Sequence, residues 1–392
     1  MRILHTADWH AGRSLLGIDR TPEVAEVLLE IAEIALDLEV DLILVAGDLF
    51  DGKSPGAAAE EAVFSFFLRT GQEGIKSVVI AGNHDSPARL DAFSRILKLT
   101  NVHMVGQPRV AGNGGVFRTE IKGQALQVAT LPFISERRIV RVAELLGGDA
   151  GQHRQGYQQS MRKLIYNLTS SFEPQSVNLL MLHATMEGAT MANSEYAFHS
   201  TESYTLGADM LPVTANYVAL GHIHKAQSVQ GIADYRARYP GSIIQLDFGE
   251  QGDNKTVLLL DAKPGKPTEI IDELPIRGGR KLRKISMDVS SLDQKTPELL
   301  EFEGWLKLSL KLDSPKPGLK ERILSNFPNV IAVETELYES ENLTEQGIDL
   351  EQLSLMEAFE QYYQTEKKQK LSENLAKTFK ELREDVYNEE DE

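Results

Sequence analysis

Five of the chain's nine histidines, His10, His84, His183, His222 and His224, fall at or just past the end of an apolar run that reads as a buried strand. Asp8 stands two places before His10, and Gly47-Asp48 closes the run at 41–46. Gly82-Asn83-His84-Asp85 follows the run at 77–81, His183 follows 177–182, and Gly221-His222-Ile223-His224 follows 216–220. Polar groups at the mouth of a buried strand are costly unless something there is bound. In an extended segment, residues i and i+2 point to the same side. Asp8 with His10, and His222 with His224, therefore each aim two donor atoms at one point.

The chemistry follows from the donor types. Asp8, His10, Asp48, Asn83, His183, His222 and His224 make a mixed nitrogen and oxygen set without sulfur, which suits Mn, Fe or Zn better than a Ca or Mg cage. Two divalent ions bring four positive charges, and only Asp8 and Asp48 offset them. Such a site stays net positive and suits an anionic phosphate. Paired ions roughly 3.5–4 Å apart lower the pKa of a bridging water and hold attacking and leaving oxygens in line. His84 is then left for proton transfer, since an imidazole titrates near neutrality. Asp51 and Asp85 lie close by and are candidates to orient it or bind water. His5, His103, His153 and His199 lack strand-end partners and read as structural or surface residues.

The elements that must position these residues alternate strand and helix. Arg2 to Ala7 reads as a strand. Thr21-Pro22-Glu23 starts a helix, with Thr21 as cap and Pro22 in the first turn. Val24, Val27, Leu28, Ile31, Ile34, Ala35 and Leu38 keep helical spacing. The run at 41–46 is continuously apolar after Asp41, as in a strand buried on both faces. A helix at about 57–70, the strand at 77–81 and a helix from Pro87 follow. Successive strand–helix units predict an α/β architecture with a largely parallel sheet, whose sites gather at the C-terminal strand ends.

From 101 to 135 the pattern turns to short strands and glycines, with 112–115 as a turn and a strand at 126–129. Residues 136–171 read as helical, with a glycine-rich interruption at 147–156. The polar stretch 184–215 reads as a loop able to line a substrate groove. Ser242-Ile243-Ile244 and 256–260 read as further strands, and 262–267 as the edge of this part of the chain. A small α/β domain is expected at 276–336, from alternation at 285–289 and 306–312, a helix near 318–326 and an apolar run at 330–333. Leu353, Met356, Phe359 and Tyr363 form one narrow helical stripe; Leu371, Leu375, Phe379, Leu382 and Val386 form another. Narrow stripes seek a partner groove.

Composition narrows the classes. The 392 residues contain no cysteine, which excludes disulfides and thiolate zinc sites. No apolar run reaches the roughly 20 residues that a membrane span needs. The N-terminus lacks the features of a signal peptide, so a cytoplasmic, nucleoid-associated protein is expected. Of the net charge of −17, residues 331–392 carry −12, so the acidity that argues against DNA sits mostly in a tail. Arg277, Arg280, Lys281, Arg283 and Lys284 fall within eight residues at the start of the small domain. They are candidates for phosphate contact or for a solvated charge run.

Asp8-x-His10, Gly47-Asp48-x-x-Asp51, Gly82-Asn83-His84-Asp85, His183 and Gly221-His222-x-His224 together resemble, in order, the signature of the calcineurin-like metallophosphoesterases. The extended matches Thr6 to His10, Gly47 to Asp51 and Leu220 to His224 resemble its bacterial DNA-nuclease branch, whose members work with an SbcC-type coiled-coil ATPase. So do Tyr239-Pro240-Gly241-Ser242 and Phe248-Gly249-Glu250. The likeness is strong over about 1–260 and lies mainly in layout beyond. It implies a four-layer α/β/β/α sandwich over 1–275, a small α/β capping domain over 276–336, and helices in 345–388 that bind the ATPase. It implies two divalent ions, with Mn2+ the expected one. Asp8, His10, Asp48 and His224 would hold one; Asp48, Asn83, His183 and His222 would hold the other, with Asp48 bridging. His84 matches the catalytic histidine. Asp51 departs from archaeal members, which carry a histidine there. The resemblance also implies a homodimer and a DNA substrate in double-strand break and hairpin processing.

Two other functions compete at this stage. The same centre would serve hydrolysis of small phosphate esters or cyclic nucleotides, against which the 132 residues beyond 260 count. A non-catalytic scaffold gating the ATPase is the third, and no ligand position is missing to support it.

Overall fold

In a computed structural model of the chain, the described residues are 1–135, 150–192, 205–233 and 236–337, together with Tyr363, Leu371, Leu375, Ala376 and Phe379. Residues Met1–Leu337 form one compact unit and Tyr338–Glu392 a second. In the second unit, Tyr363, Leu375, Ala376 and Phe379 are helical and half-buried. Leu371 is half-buried and not helical; Leu353, Met356, Phe359, Leu382 and Val386 lie outside the described residues.

The first unit begins with β1 (Arg2–Thr6), the hairpin β2 (Ser14–Leu15) and β3 (Ile18–Asp19), and α1 (Thr21–Asp37). Then come β4 (Leu42–Val45), α2 (Ala57–Gln72), β5 (Lys76–Ile80), α3 (Pro87–Leu97), β6 (Val102–Val105), β7 (Val116–Ile121) and β8 (Gln124–Leu131). They are followed by α4 (Ala150–Thr169), β9 (Val177–His183), β10 (Tyr217–Gly221), β11 (Gln227–Ser228), β12 (Ala237–Tyr239), β13 (Thr256–Asp261) and β14 (Glu269–Pro275). Last are β15 (Leu282–Asp288), α5 (Leu292–Glu301), β16 (Trp305–Leu312), α6 (Leu319–Asn326) and β17 (Val330–Leu337).

Two six-stranded sheets result, ordered β14-β13-β1-β4-β5-β6 and β11-β12-β10-β9-β8-β7. Strands β1, β4, β5 and β6 are parallel, as are β8, β9, β10 and β12. Although β4 is apolar throughout and β9 is apolar between Asn178 and His183, period two still sorts their side chains. Leu42, Leu44, Leu179 and Met181 meet between the sheets, with Ile3, Val78 and Tyr217. Ile43 and Val45 turn outward to Val24, Val27, Leu28 and Ile31 of α1 and to Phe66 and Phe67 of α2. Leu180 and Leu182 face Tyr157, Met161, Ile165 and Leu168 of α4. Helices therefore cover both outer faces, and the expected α/β/β/α sandwich is present. Because the parallel strands of both sheets are packed in one body, their C-terminal ends converge at one rim.

Several local expectations are corrected. Asp19, not Thr21, serves the start of α1: its Oδ1 accepts from the Thr21 backbone N–H at 2.9 Å and hydroxyl at 2.6 Å. Helix α4 runs unbroken through 150–156, so the glycine-rich interruption does not extend there; burying its apolar stripe outweighs a helix-glycine penalty of about 1 kcal/mol each. The stretch 184–215 is irregular where it is described, as expected, with Met186, Leu206, Met210 and Leu211 packed into the second sheet's core; residues 193–204 lie outside the described residues. Ser242-Ile243-Ile244 is not a strand; Ile243 and Ile244 are buried in the first sheet's outer core instead. Residues 262–267 are a turn within the first sheet, since β14 pairs antiparallel with β13 beyond them.

Residues 282–337 form a three-stranded parallel sheet, β15-β16-β17. Leu306, Leu308, Leu310 and Leu312 pack against Leu292 and Leu299 of α5 and Leu319 and Ile323 of α6. Helix α5 was not legible, because Pro297 inside it reads as a breaker. The sheet is joined to the sandwich through Glu23. That carboxylate pairs with Arg20 at 2.7 and 2.8 Å, and accepts from Trp305 Nε1 at 2.9 Å and the Arg280 backbone N–H at 2.7 Å. Of the five basic residues at 277–284, Arg280 lies over the Trp305 ring at 4.5 Å and Arg283 over the Phe302 ring at 4.2 Å.

Candidate metal centre

The turns after β1 and β4 are bound to each other before any side chain is placed. Asp8 N–H donates to Gly47 O at 3.0 Å, and the N–H groups of Trp9 and His10 donate to Asp48 O at 2.8 and 3.1 Å. This geometry drives Asp8, His10 and Asp48 to φ of 54°, 47° and 51°, and His222 stands at 101°. Left-handed backbone at non-glycine residues costs of order 1–3 kcal/mol each and persists only where surroundings enforce it. The enforcing partners are visible. Trp9 is fully buried, bonds Thr6 Oγ1 at 2.9 Å, and stands edge-on to Phe66 at 5.0 Å. Phe50 packs near Phe64. Both aromatics stiffen the turns.

All the sequence-derived donors meet at one rim. His10 Nε2 lies 3.2 Å from His224 Nε2 and 3.7 Å from Asp48 Oδ2. His183 Nε2 lies 3.4 Å from Asp48 Oδ2 and 3.0 Å from Asn83 Oδ1. His222 Nδ1 is 2.8 Å from that same Asn83 oxygen. Asp8 accepts from the His222 backbone N–H with both oxygens, at 3.0 and 3.1 Å. Three overlapping groups have donor atoms close enough to share an ion: Asp8, His10 and His224; Asp48, His183 and His222; and His10, Asp48 and His84. Asp48 and His10 each occur in two of them. Asp8, His10, Asp48, His183, His222 and His224 are buried, whereas Asn83 and His84 are half-buried.

The remaining ring nitrogens are held from outside the cluster. His183 Nδ1 donates to Ala46 O at 2.8 Å, and His84 Nδ1 to Asp51 O at 2.9 Å. His10 Nδ1 faces the Asp51 carboxylate at 3.1 Å, which also takes Arg13 Nη1 at 3.2 Å. Such partners fix the tautomer and aim the other nitrogen inward. Asp51 thus orients two histidines, one by its side chain and one by its carbonyl. Asp85 does something different. It accepts from the backbone N–H groups of Gly82 at 2.9 Å, Phe50 at 3.1 Å and Leu49 at 3.2 Å, tying the GNHD turn to the turn after β4. The His84 backbone N–H completes that tie by donating to Asp48 Oδ1 at 2.8 Å. Gly82 permits it: a Cβ there would stand 2.1 Å from Asp48 Oδ1.

The electrostatics call for cations. Burial, reinforced by the nearby Asp48 charge, pushes the Asp8 carboxyl up to about 7. Asp48 is buried too, but the surrounding histidines His183, His10 and His84 outweigh that and hold it far below the usual carboxylate range. Burial opposes protonation of His183, yet Asp48 and Asp8 raise it to about 9. Two buried carboxylates among imidazoles fit divalent metal ions, which keep carboxylates ionised and imidazoles neutral.

Sequence reasoning missed Lys255 and gave Glu250 no role, although Glu250 is fully buried beside His224. Neither follows the C-terminal end of a strand, since Lys255 directly precedes β13, and a charged residue in an irregular stretch carries no periodic signal. Phe133 was also missed; its ring stacks at 6.1 Å on His222 and meets His183 edge-on at 6.1 Å. His5 and His103 stand apart from the centre: His5 Nδ1 pairs with Tyr217 Oη at 2.9 Å between the sheets, and His103 stacks on Phe117. His153 and His199 side chains lie outside the described residues.

A two-sheet sandwich whose parallel strand ends gather this donor set defines a phosphoesterase, and the chain belongs to the calcineurin-like phosphoesterase family, whose model matches residues 1–226. A second model, described as a type 5 capsule protein repressor C-terminal domain, matches residues 279–367. Within the family, the chain is a relative of the proteins named as the SbcD component of the nuclease SbcCD. It is 32% identical to that of Bacillus subtilis strain 168 over 371 residues, 93% of each chain. It is 30% identical to that of Rhodobacter capsulatus over 80% of this chain and 81% of that one, and 30% identical to that of Escherichia coli K12 over 82% and 81%. No helix among the described residues is long and apolar enough to cross a membrane.

Proposed function

We propose that this chain is a metal-dependent DNA nuclease that works with an SbcC-type ATPase in processing double-strand breaks and hairpins. The observation that carries the reading is the convergence of three donor groups, linked through His10 and Asp48, at one rim, in a chain similar over nearly its whole length to proteins named as nuclease components. Asp8, His10, Asp48 and His224 would hold one ion, and Asp48, Asn83, His183 and His222 the second; the donor types suit Mn, Fe or Zn, and Mn2+ is the ion that the family resemblance implies. When bound, such a pair supplies a nucleophilic water at neutral pH and Lewis-acid stabilisation of the phosphoryl oxygens.

The protein's own groups do the rest. Asn83 contributes an oxygen without charge, which leaves the centre positive for a phosphodiester. His84 stands half-buried at the rim, with Nδ1 donated to Asp51 O at 2.9 Å, which makes Nε2 the nitrogen that exchanges a proton with the leaving oxygen. Residues 276–336 act as a capping domain, residues 345–388 as the ATPase-binding segment, and the working form contains two copies of the chain.

The test is co-purification with an SbcC-type protein, followed by digestion of linear DNA with Mn2+, with and without ATP. Complex formation and Mn2+-dependent DNA cleavage are expected. Rapid turnover of small phosphate esters with none of DNA would overturn the nuclease reading.

A further inference from the structure

Beneath His224 lies a buried charge cluster that the ligand pattern does not use. Glu250 is 0% exposed and Lys255 4%, and both lie in the stretch between β12 and β13. Either charge alone would cost several kcal/mol there, so their arrangement must be held by partners. Lys255 Nζ donates to Glu250 Oε2 at 2.5 Å, Ser242 Oγ at 2.9 Å and the carbonyl oxygen of His224 at 3.1 Å. Glu250 Oε2 also accepts from the Leu246 backbone N–H at 3.2 Å and Ser242 Oγ at 3.3 Å. Its other oxygen stands 3.4 Å from His224 Nδ1. The opposite edge of that ring points Nε2 at His10 Nε2, 3.2 Å away.

We propose that Glu250, held in place by Lys255, is a positioning residue for His224. It accepts from His224 Nδ1–H, which keeps the proton on Nδ1 and leaves the Nε2 lone pair for the ion shared with Asp8 and His10. The inference rests on the reading of His224 as a ligand. A ligating histidine needs an acceptor for its other nitrogen, and a carboxylate there raises ligand basicity. His183 uses a backbone carbonyl for this purpose; His224 instead meets a fully buried carboxylate. Lys255 grips the same residue by its carbonyl, so His224 is clamped at both ends. Lys255 and Ser242 occupy Glu250 Oε2, which keeps the carboxylate beneath the ring and prevents it from becoming a ligand itself.

The test is a Mn2+ titration of the full chain, read by the electron paramagnetic resonance of free Mn2+. Wild type is expected to bind two ions. Glu250→Gln, a weaker acceptor, should keep one ion at wild-type affinity and bind the other about ten-fold more weakly. The double variant Glu250→Met/Lys255→Met leaves neither an acceptor nor a lone buried charge. It should fold, as judged by circular dichroism, and lose up to about a hundred-fold at that one ion. His224→Ala is the control: two ions bound at wild-type affinity would overturn the ligand reading itself. If His224→Ala loses one ion while both Glu250 variants bind two at wild-type affinity, only the positioning inference fails. Equal weakening of both ions would also overturn it, since general loosening gives that result.

Discussion

His10 and His224 are 214 residues apart in the chain, yet their Nε2 atoms face each other across 3.2 Å. Each ring directs its Nδ1 at a carboxylate, Asp51 at 3.1 Å and Glu250 at 3.4 Å. With the protons on Nδ1, two lone pairs oppose each other, an arrangement that a cation converts from repulsive to attractive. Mn2+ should therefore stabilise the fold. Saturating one site a hundred-fold above its Kd adds about 2.7 kcal/mol, which for a chain of this size raises Tm by a few degrees (~2–4 °C per kcal/mol for domains of 150–250 residues). Scanning calorimetry in chelator and in excess Mn2+ measures this. A Tm indifferent to Mn2+ would sink the metal reading of the centre.

His84 is the histidine whose role the geometry divides most sharply from the rest. It is half-buried while the other histidines of the centre are buried, but it also belongs to a possible donor group with His10 and Asp48. As a proton-transfer residue, its loss in His84→Gln should slow Mn2+-dependent DNA cleavage by about 10²–10⁴-fold, with both ions still bound. A variant that cleaves at wild-type rate removes His84 from the chemistry, and one that binds a single ion makes it a ligand.

The ring of donors was legible because a parallel strand announces its own end. An apolar run such as 41–46 has nowhere to place Asp48 except at its mouth, and the i, i+2 rule aligns Asp8 with His10. The α/β class and its parallel strands followed from the same runs, whereas the four-layer sandwich followed from the resemblance to the phosphoesterase family. What stayed hidden depends on contacts between distant segments. Glu250 becomes meaningful only because the irregular stretch after β12 passes beneath His224. Asp85 sits inside the GNHD signature, yet its role is to accept backbone N–H groups from a turn 35 residues away, which no local pattern encodes. Pro297 argued for a break where α5 runs on. The α4 glycines argued for another that packing overrode.

Asp51 and Asp85, alike in sequence, should separate cleanly in experiment. Asp85→Ala strips the acceptor from the buried N–H groups of Leu49, Phe50 and Gly82. At about 1–3 kcal/mol per orphaned group, Tm should fall markedly even in chelator. Asp51→Ala removes a partly exposed carboxylate that orients His10 but leaves the carbonyl that holds His84. It should change Tm little in chelator and weaken Mn2+ binding about ten-fold. Thermal scans with and without chelator read both effects, and the reverse pattern would show that the two roles have been exchanged.

Glu23 offers a pH test away from the metal centre. Burial acts to raise its carboxyl, but bonds from Arg20, Trp305 and the Arg280 backbone outweigh that and hold it below the ordinary 4.5. Because folding favours the ionised form, the stability from Glu23 is fully present above pH 4.5 and is lost as pH falls through the lowered folded-state value. Glu23→Gln leaves the fully buried Arg20 without its counter-charge, a loss of about 3 kcal/mol or more at neutral pH. The Tm gap between wild type and variant should therefore be wide at pH 7 and close below pH 4.5. Hydrogen exchange of residues 277–284 should also rise in the variant, since Glu23 binds the Arg280 N–H and Trp305. A gap that stays constant with pH would mean that the Glu23 charge contributes nothing to joining the small sheet to the sandwich.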